Sequence, residues 1–98
     1  MVDLRKNLNE DLDIATWDML ELHLTRGALV EVHNSLDLVE VGLAVAEDKE
    51  ELVKDWMAKG LIKNMGEVDQ EWKENKDLKF KFLILSPYVL VQVLRENN

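Results

Sequence analysis

The sequence predicts an α+β fold of winged-helix-like type: helices plus a small antiparallel sheet, with a helical insertion in the wing and an apolar C-terminal strand. Three observations carry this expectation. The predicted elements run helix, strand, helix, helix, strand, insertion, strand, which is the connectivity of a winged helix. Connections are short where that fold needs them: Glu47-Asp48 joins two helices, and Lys59-Gly60 leads a helix directly into a strand. Finally, residues 83–94 are apolar on both sides of Ser86-Pro87, as in a strand covered on two faces.

Each element has a local reason. Leu4, Leu8, Leu12 and Ala15 recur at helical spacing behind Asp3, a good capping residue, so residues 3–13 are predicted helical. Trp17, Leu20 and Leu24 continue the period. One helix or two fit this stretch, because both aspartate and threonine can start a new helix between 13 and 16. Arg26-Gly27 closes it with a cation near the last carbonyls and a glycine able to turn left-handed. Ala28 to Val32 reads as a strand that runs into the turn His33-Asn34-Ser35, with Ser35 as the next cap.

Residues 36–46 fit both periods. Val39, Val41, Leu43 and Val45 alternate like a strand, whereas Leu38, Val39, Gly42, Val45 and Ala46 fit a helical stripe. Length, the preceding cap and the small residues favour helix. Asp48 with Glu51 three residues on is a capping-box arrangement. The helix it would start carries Leu52, Val53, Trp56 and Met57 as a buried stripe, pairs Glu50 with Lys54 and Asp55 with Lys59, and ends at Gly60. Leu61-Ile62-Lys63 is a short strand. Residues 64–78 form the wing insertion, with Val68 and Trp72 on one face of a helix over 67–74. Lys79 to Leu85 is a strand with Phe80, Phe82 and Ile84 on one side, and Tyr88 to Leu94 is extended and almost wholly apolar.

A chain of 98 residues without a linker-like stretch is expected to form a single domain, residues 1–98. At this size about 60–70% of the unfolded surface is buried, enough for folding without staples. There is no cysteine, which removes disulfides, thiolate metal sites and cysteine nucleophiles. Charges in Asp3, Arg5 and Lys6 leave no signal-peptide pattern, and the uncharged run 82–94 is too short to span a bilayer, so a cytoplasmic location is expected. Twenty acidic residues against twelve basic give a net charge of −8, a field that repels phosphate backbones and disfavours nucleic acid as a partner.

Trp17, Arg26-Gly27-Ala28, Leu36-Asp37-Leu38-Val39, Val41-Gly42, Ala44, Ala46, Glu47-Asp48, Trp56, Gly60-Leu61 and Pro87-Tyr88-Val89-Leu90-Val91-Gln92 together resemble a family of short bacterial proteins of unknown function. The resemblance covers nearly the whole chain and departs at Met65-Gly66, where similar proteins carry a proline. It implies a bacterial, cytoplasmic setting. No activity and no functional residue come with it.

No motif marks an enzyme. Ser35 and Ser86 lack a nucleophile-elbow context, and the glycines at 27, 42, 60 and 66 are too scattered to cradle phosphate. His23 and His33, ten residues apart near Glu31, Asp37 and Glu40, lack the spacing of a helix-borne metal pair. No catalytic residue, metal site or cofactor is therefore expected. The two-sided apolar strand and the tryptophan of the insertion define a candidate interaction surface: Trp72, Tyr88, Val89, Leu90, Val91, Val93 and Leu94. The expected role is a non-catalytic protein–protein interaction or structural module, homodimeric through the C-terminal strand. The alternatives are a winged-helix DNA-binding regulator and an acidic decoy for a nucleic-acid-binding protein.

Overall fold

The computed structural model describes residues 3–65, 70–75, 77–85 and 87–94. Its elements are α1 (Leu4–Asp11), β1 (Asp13–Ala15), α2 (Trp17–Thr25), β2 (Leu29–Val32), α3 (Leu38–Ala46), α4 (Glu50–Ala58), β3 (Ile62–Asn64), α5 (Gln70–Glu74), β4 (Lys79–Leu85) and β5 (Tyr88–Leu94). The strands form one five-stranded sheet in the order β1-β4-β5-β2-β3.

The first helical stretch is two helices. Asp3 caps α1 by accepting the Lys6 amide at 3.2 Å, Leu12 turns extended, and residues 13–15 become an edge strand paired with β4. Thr16 then precedes α2. Residues 36–46 are helical from Leu38, and the cap is Asp37, not Ser35: its carboxylate accepts the Val39 amide at 2.8 Å and the Glu40 amide at 3.3 Å.

Three helices close by one device. At Gly27 (φ 71°) and Gly60 (φ 75°) the chain turns left-handed, and the next amide reaches back five residues: Ala28 to the His23 carbonyl, Leu61 to that of Trp56, each 2.9 Å. Asp48 (φ 60°) does the same for α3, with the Lys49 amide on the Ala44 carbonyl at 2.9 Å. The capping box expected of Asp48 and Glu51 is thereby corrected. Asp48 belongs to the end of α3, and Lys49 caps α4 without a side-chain bond.

The sheet also departs from the small antiparallel one expected. β5 runs parallel to β2 and antiparallel to β4, so the sheet is mixed. In a wing, the strands flanking the insertion would pair with each other. Here β5 and β2 lie between β3 and β4, and no wing hairpin forms, because β5 takes the neighbouring place on β4.

Helices cover both faces. On one, Trp17 and Leu20 of α2 and Trp72 of α5 pack on Leu29, Phe80, Val89, Val91 and Val93. On the other, Leu8 of α1 and Leu38, Val39 and Val41 of α3 pack on Val30, Val32, Leu83 and Leu90. Arg5 of α1 and Glu40 of α3 pair at the exposed rim of that layer. Gln92 is the one buried polar side chain among the described residues. Its amide donates to the carbonyls of His33 (3.0 Å) and Leu36 (2.7 Å), clamping the turn between β2 and α3 to the sheet.

The buried stripe expected on α4 is only half present. Val53 and Trp56 are partly covered, Leu52 and Met57 are exposed, and no residue of the helix is fully buried. Of its two expected ion pairs, Lys59 with Asp55 forms at 2.9 Å. The exposed end of β4 departs likewise: Ile84 faces out, while Leu83 on the opposite face is fully buried.

Two substitutions test this frame. A Cβ at Gly42 would stand 2.7 Å from Leu83 Cδ2 in a packed layer. Overpacking costs about 1–3 kcal/mol against a helix-propensity gain of about 1 kcal/mol, so Gly42→Ala should lower stability by up to about 2 kcal/mol in urea denaturation. Asp48→Gly relieves a left-handed non-glycine and should raise stability by about 0.5 kcal/mol in the same assay.

Candidate functional site

The structure places most of the sequence-predicted interaction surface inside the core. β5 has β4 on one edge and β2 on the other. Val89, Val91 and Val93 point into one helical layer and Leu90 into the other. Trp72 is 2% exposed, with its ring 4.6 Å from Phe80 and 5.9 Å from Trp17 by centroid. Strand addition to β5 would require expelling a neighbour, so the expected dimer contact through this strand is corrected. The apolar residues on its two faces are satisfied by two helical layers of the same chain. Only Tyr88, 46% exposed, and the half-buried Leu94 remain reachable. Ser86 lies outside the described residues.

The histidines serve local structure. His23 contacts Arg26 one turn on, and His33 Nδ1 accepts the Ser35 amide at 3.0 Å within its turn. Among the described residues no three His, Cys, Asp or Glu side chains converge as a metal site. A hollow of about 360 Å³ lies between α2 and α5, lined by Trp17, Asp18, Glu21, Trp72, Lys73 and Asn75. The Trp17 indole N–H is buried near it without a hydrogen-bond partner among the described residues.

A second concavity is better built. Val30 of β2 lies in register with Leu90 of β5 on one side and Asn64 of β3 on the other, giving a three-strand floor. Val41 and Val45 of α3 form one wall, and Val53 and Met57 of α4 the other. Ile62 and Tyr88 complete a groove of about 210 Å³. The groove exists because α4 hangs from α3 and β3 at the border of the layer, reaching the sheet with only part of its apolar stripe. Its lining holds no charged residue.

Residues 3–93 match the family model described as protein of unknown function (DUF2288). The chain belongs to the DUF2288 family. This DUF2288 chain is also similar to a solved structure, the NMR solution structure of PA1075 from Pseudomonas aeruginosa. The two are 31% identical, with a TM-score of 0.81, over 95% of this chain and 86% of the other. No curated protein matches the chain. The α+β fold with its five-stranded sheet is therefore shared with a solved relative, and no helix among the described residues is long and apolar enough to cross a membrane.

Of the groove of the DUF2288 chain, only Tyr88 and Leu90 stood among the sequence-predicted residues. Val45, Val53 and Met57 belong to the helical stripes the sequence predicts and Val30 to its first predicted strand, whereas Val41 fits only the strand period of residues 36–46. The available signal was a stripe on α4 wider than one partner element can cover.

Burial against Phe80 and Trp17 makes Trp72 a core residue and not the partner-facing one expected of the insertion. As a core residue, Trp72→Ala should cost about 3–5 kcal/mol in urea denaturation, whereas a tryptophan that mainly covers a partner would cost less than about 1 kcal/mol.

Proposed function

We propose that the protein is a cytoplasmic, non-catalytic interaction or structural module that works as a homodimer, with α2 in place of β5 as the contact. The observation that carries this is the outer face of α2. Leu22 is 74% exposed and Met19 is 59% exposed, one turn apart on the face opposite the buried Trp17 and Leu20. A two-fold axis suits this helix. Its first half carries Asp18 and Glu21 and its end carries His23 and Arg26. Antiparallel packing of two copies would set acidic halves against basic ends around a Met19/Leu22 centre, a self-complementary patch.

The run α3-α4-β3 keeps the helix-helix-strand order of a winged helix, which supports comparison with a DNA-binding regulator. The exposed face of α4 argues against it: Glu50, Glu51 and Asp55 surround Lys54 and Lys59, a poor surface for base edges and phosphates.

Light-scattering mass of the intact chain tests the dimer. The expected result is twice 11.4 kDa, falling to the monomer mass in Met19→Glu/Leu22→Glu, which stays folded by circular dichroism because both side chains are exposed in the monomer. A monomeric parent at hundreds of micromolar would sink the homodimer. Salt-dependent retention on heparin would favour the DNA-binding alternative, and flow-through is expected.

A further inference from the structure

The groove between α4 and the sheet has a chemistry unlike the rest of the molecule. One third of the residues are charged and the net charge is −8, yet none of the nine lining side chains is charged. Seven are aliphatic or methionine, and the other two are Asn64 and Tyr88. Both are exposed at the edge of the groove, where their side chains can donate and accept hydrogen bonds. The groove is concave on three sides, with floor, α3 wall and α4 wall drawn from separate elements, as ligand sites commonly are.

We propose that this groove binds a small, neutral organic molecule with an apolar body and one uncharged polar group, such as an alcohol, ketone or amide. Size sets the body. An apolar cavity of about 150 Å³ suffices for benzene, so about 210 Å³ takes a single ring or a short alkyl chain. Charge sets the rest. An ion moved among valines and a methionine loses hydration and gains no counter-ion, so carboxylates, phosphates and amines are refused. The Asn64 carboxamide and the Tyr88 hydroxyl supply neutral hydrogen bonds at the open side. This site lies on the face of the sheet opposite α2 and is independent of the proposed dimer contact.

Methyl NMR of the full chain, titrated with benzyl alcohol, benzoate and benzylamine, tests the proposal with one ring and three charges. Benzyl alcohol should shift the Val41, Val45, Val53 and Met57 methyls saturably, with Kd on the order of 1 mM for a ligand of this size. Benzoate and benzylamine should bind at least about tenfold more weakly. Val45→Phe should abolish the shifts by filling the space. Tyr88→Phe, a change the fold tolerates at an exposed position, should weaken benzyl alcohol but leave toluene unaffected. Absence of saturable shifts, equal response to all three probes, or unchanged benzyl alcohol binding in Tyr88→Phe overturns the inference.

Discussion

The structure depends on β5 being enclosed on every side. Tyr88–Leu94 is nearly all apolar, so neither of its faces can be left in water, and its two rows of backbone groups must be paired. β4 pairs with one edge and β2 with the other. Each face then requires a helical layer, and the chain supplies both: α2 with α5 on one side, α1 with α3 on the other. A small antiparallel sheet covered on one face would leave half of β5 exposed. The mixed five-stranded sheet follows from that requirement.

Two close contacts keep the layers tight. Gly42 lets α3 sit so close to the sheet that a Cβ there would stand 2.7 Å from Leu83 Cδ2 and force that side chain to shift. Gln92 ties the start of the same layer down, since its buried amide donates to the Leu36 carbonyl and to the His33 carbonyl, which also accepts the Leu36 amide within the turn. Gln92 thus anchors the turn that leads into α3 and Gly42 lets the middle of the helix approach the sheet, and α4 inherits its position from α3 through the left-handed residue Asp48. Because α1 and α3 already cover the centre of that face, α4 reaches only the border. Its half-covered stripe and the adjoining groove are the geometric residue of covering a sheet with one helix more than its centre needs.

Local chemistry made much of this legible. Helix ends at Gly27 and Gly60, the strands 79–85 and 88–94, and the helical nature of 36–46 follow from turn residues and hydrophobic period. Misreadings came where one residue type serves two roles. Asp48 reads as a start cap but closes the preceding helix, a use in which aspartate substitutes for glycine at a left-handed position. The short strand β1 was hidden by a helical period running through Leu12 and Ala15. Strand neighbours were not legible at all. A two-sided apolar strand states that it needs covering, and a dimer partner or a second internal layer satisfies it equally well. The same ambiguity put five of the seven candidate residues in the core, and it hid the groove, whose lining joins the consecutive elements β2, α3, α4 and β3 to the remote β5.

Charge placement supplies a criterion that burial alone does not. In a chain so rich in Asp, Glu and Lys, most surface positions carry an ion within reach, and ions keep an apolar depression wet and unattractive to neutral ligands. The Asp55–Lys59 pair lies on the outward side of α4, while Val53 and Met57 face the cavity. On the sheet, Glu31 and Lys63 pair with each other on the face opposite Val30 and Asn64. The alternation of strand side chains thus puts ions on one side and the neutral floor on the other. A groove kept free of charge by both strand and helix periodicity has a selectivity that follows from the fold itself: it discriminates by hydration, admitting what water releases easily.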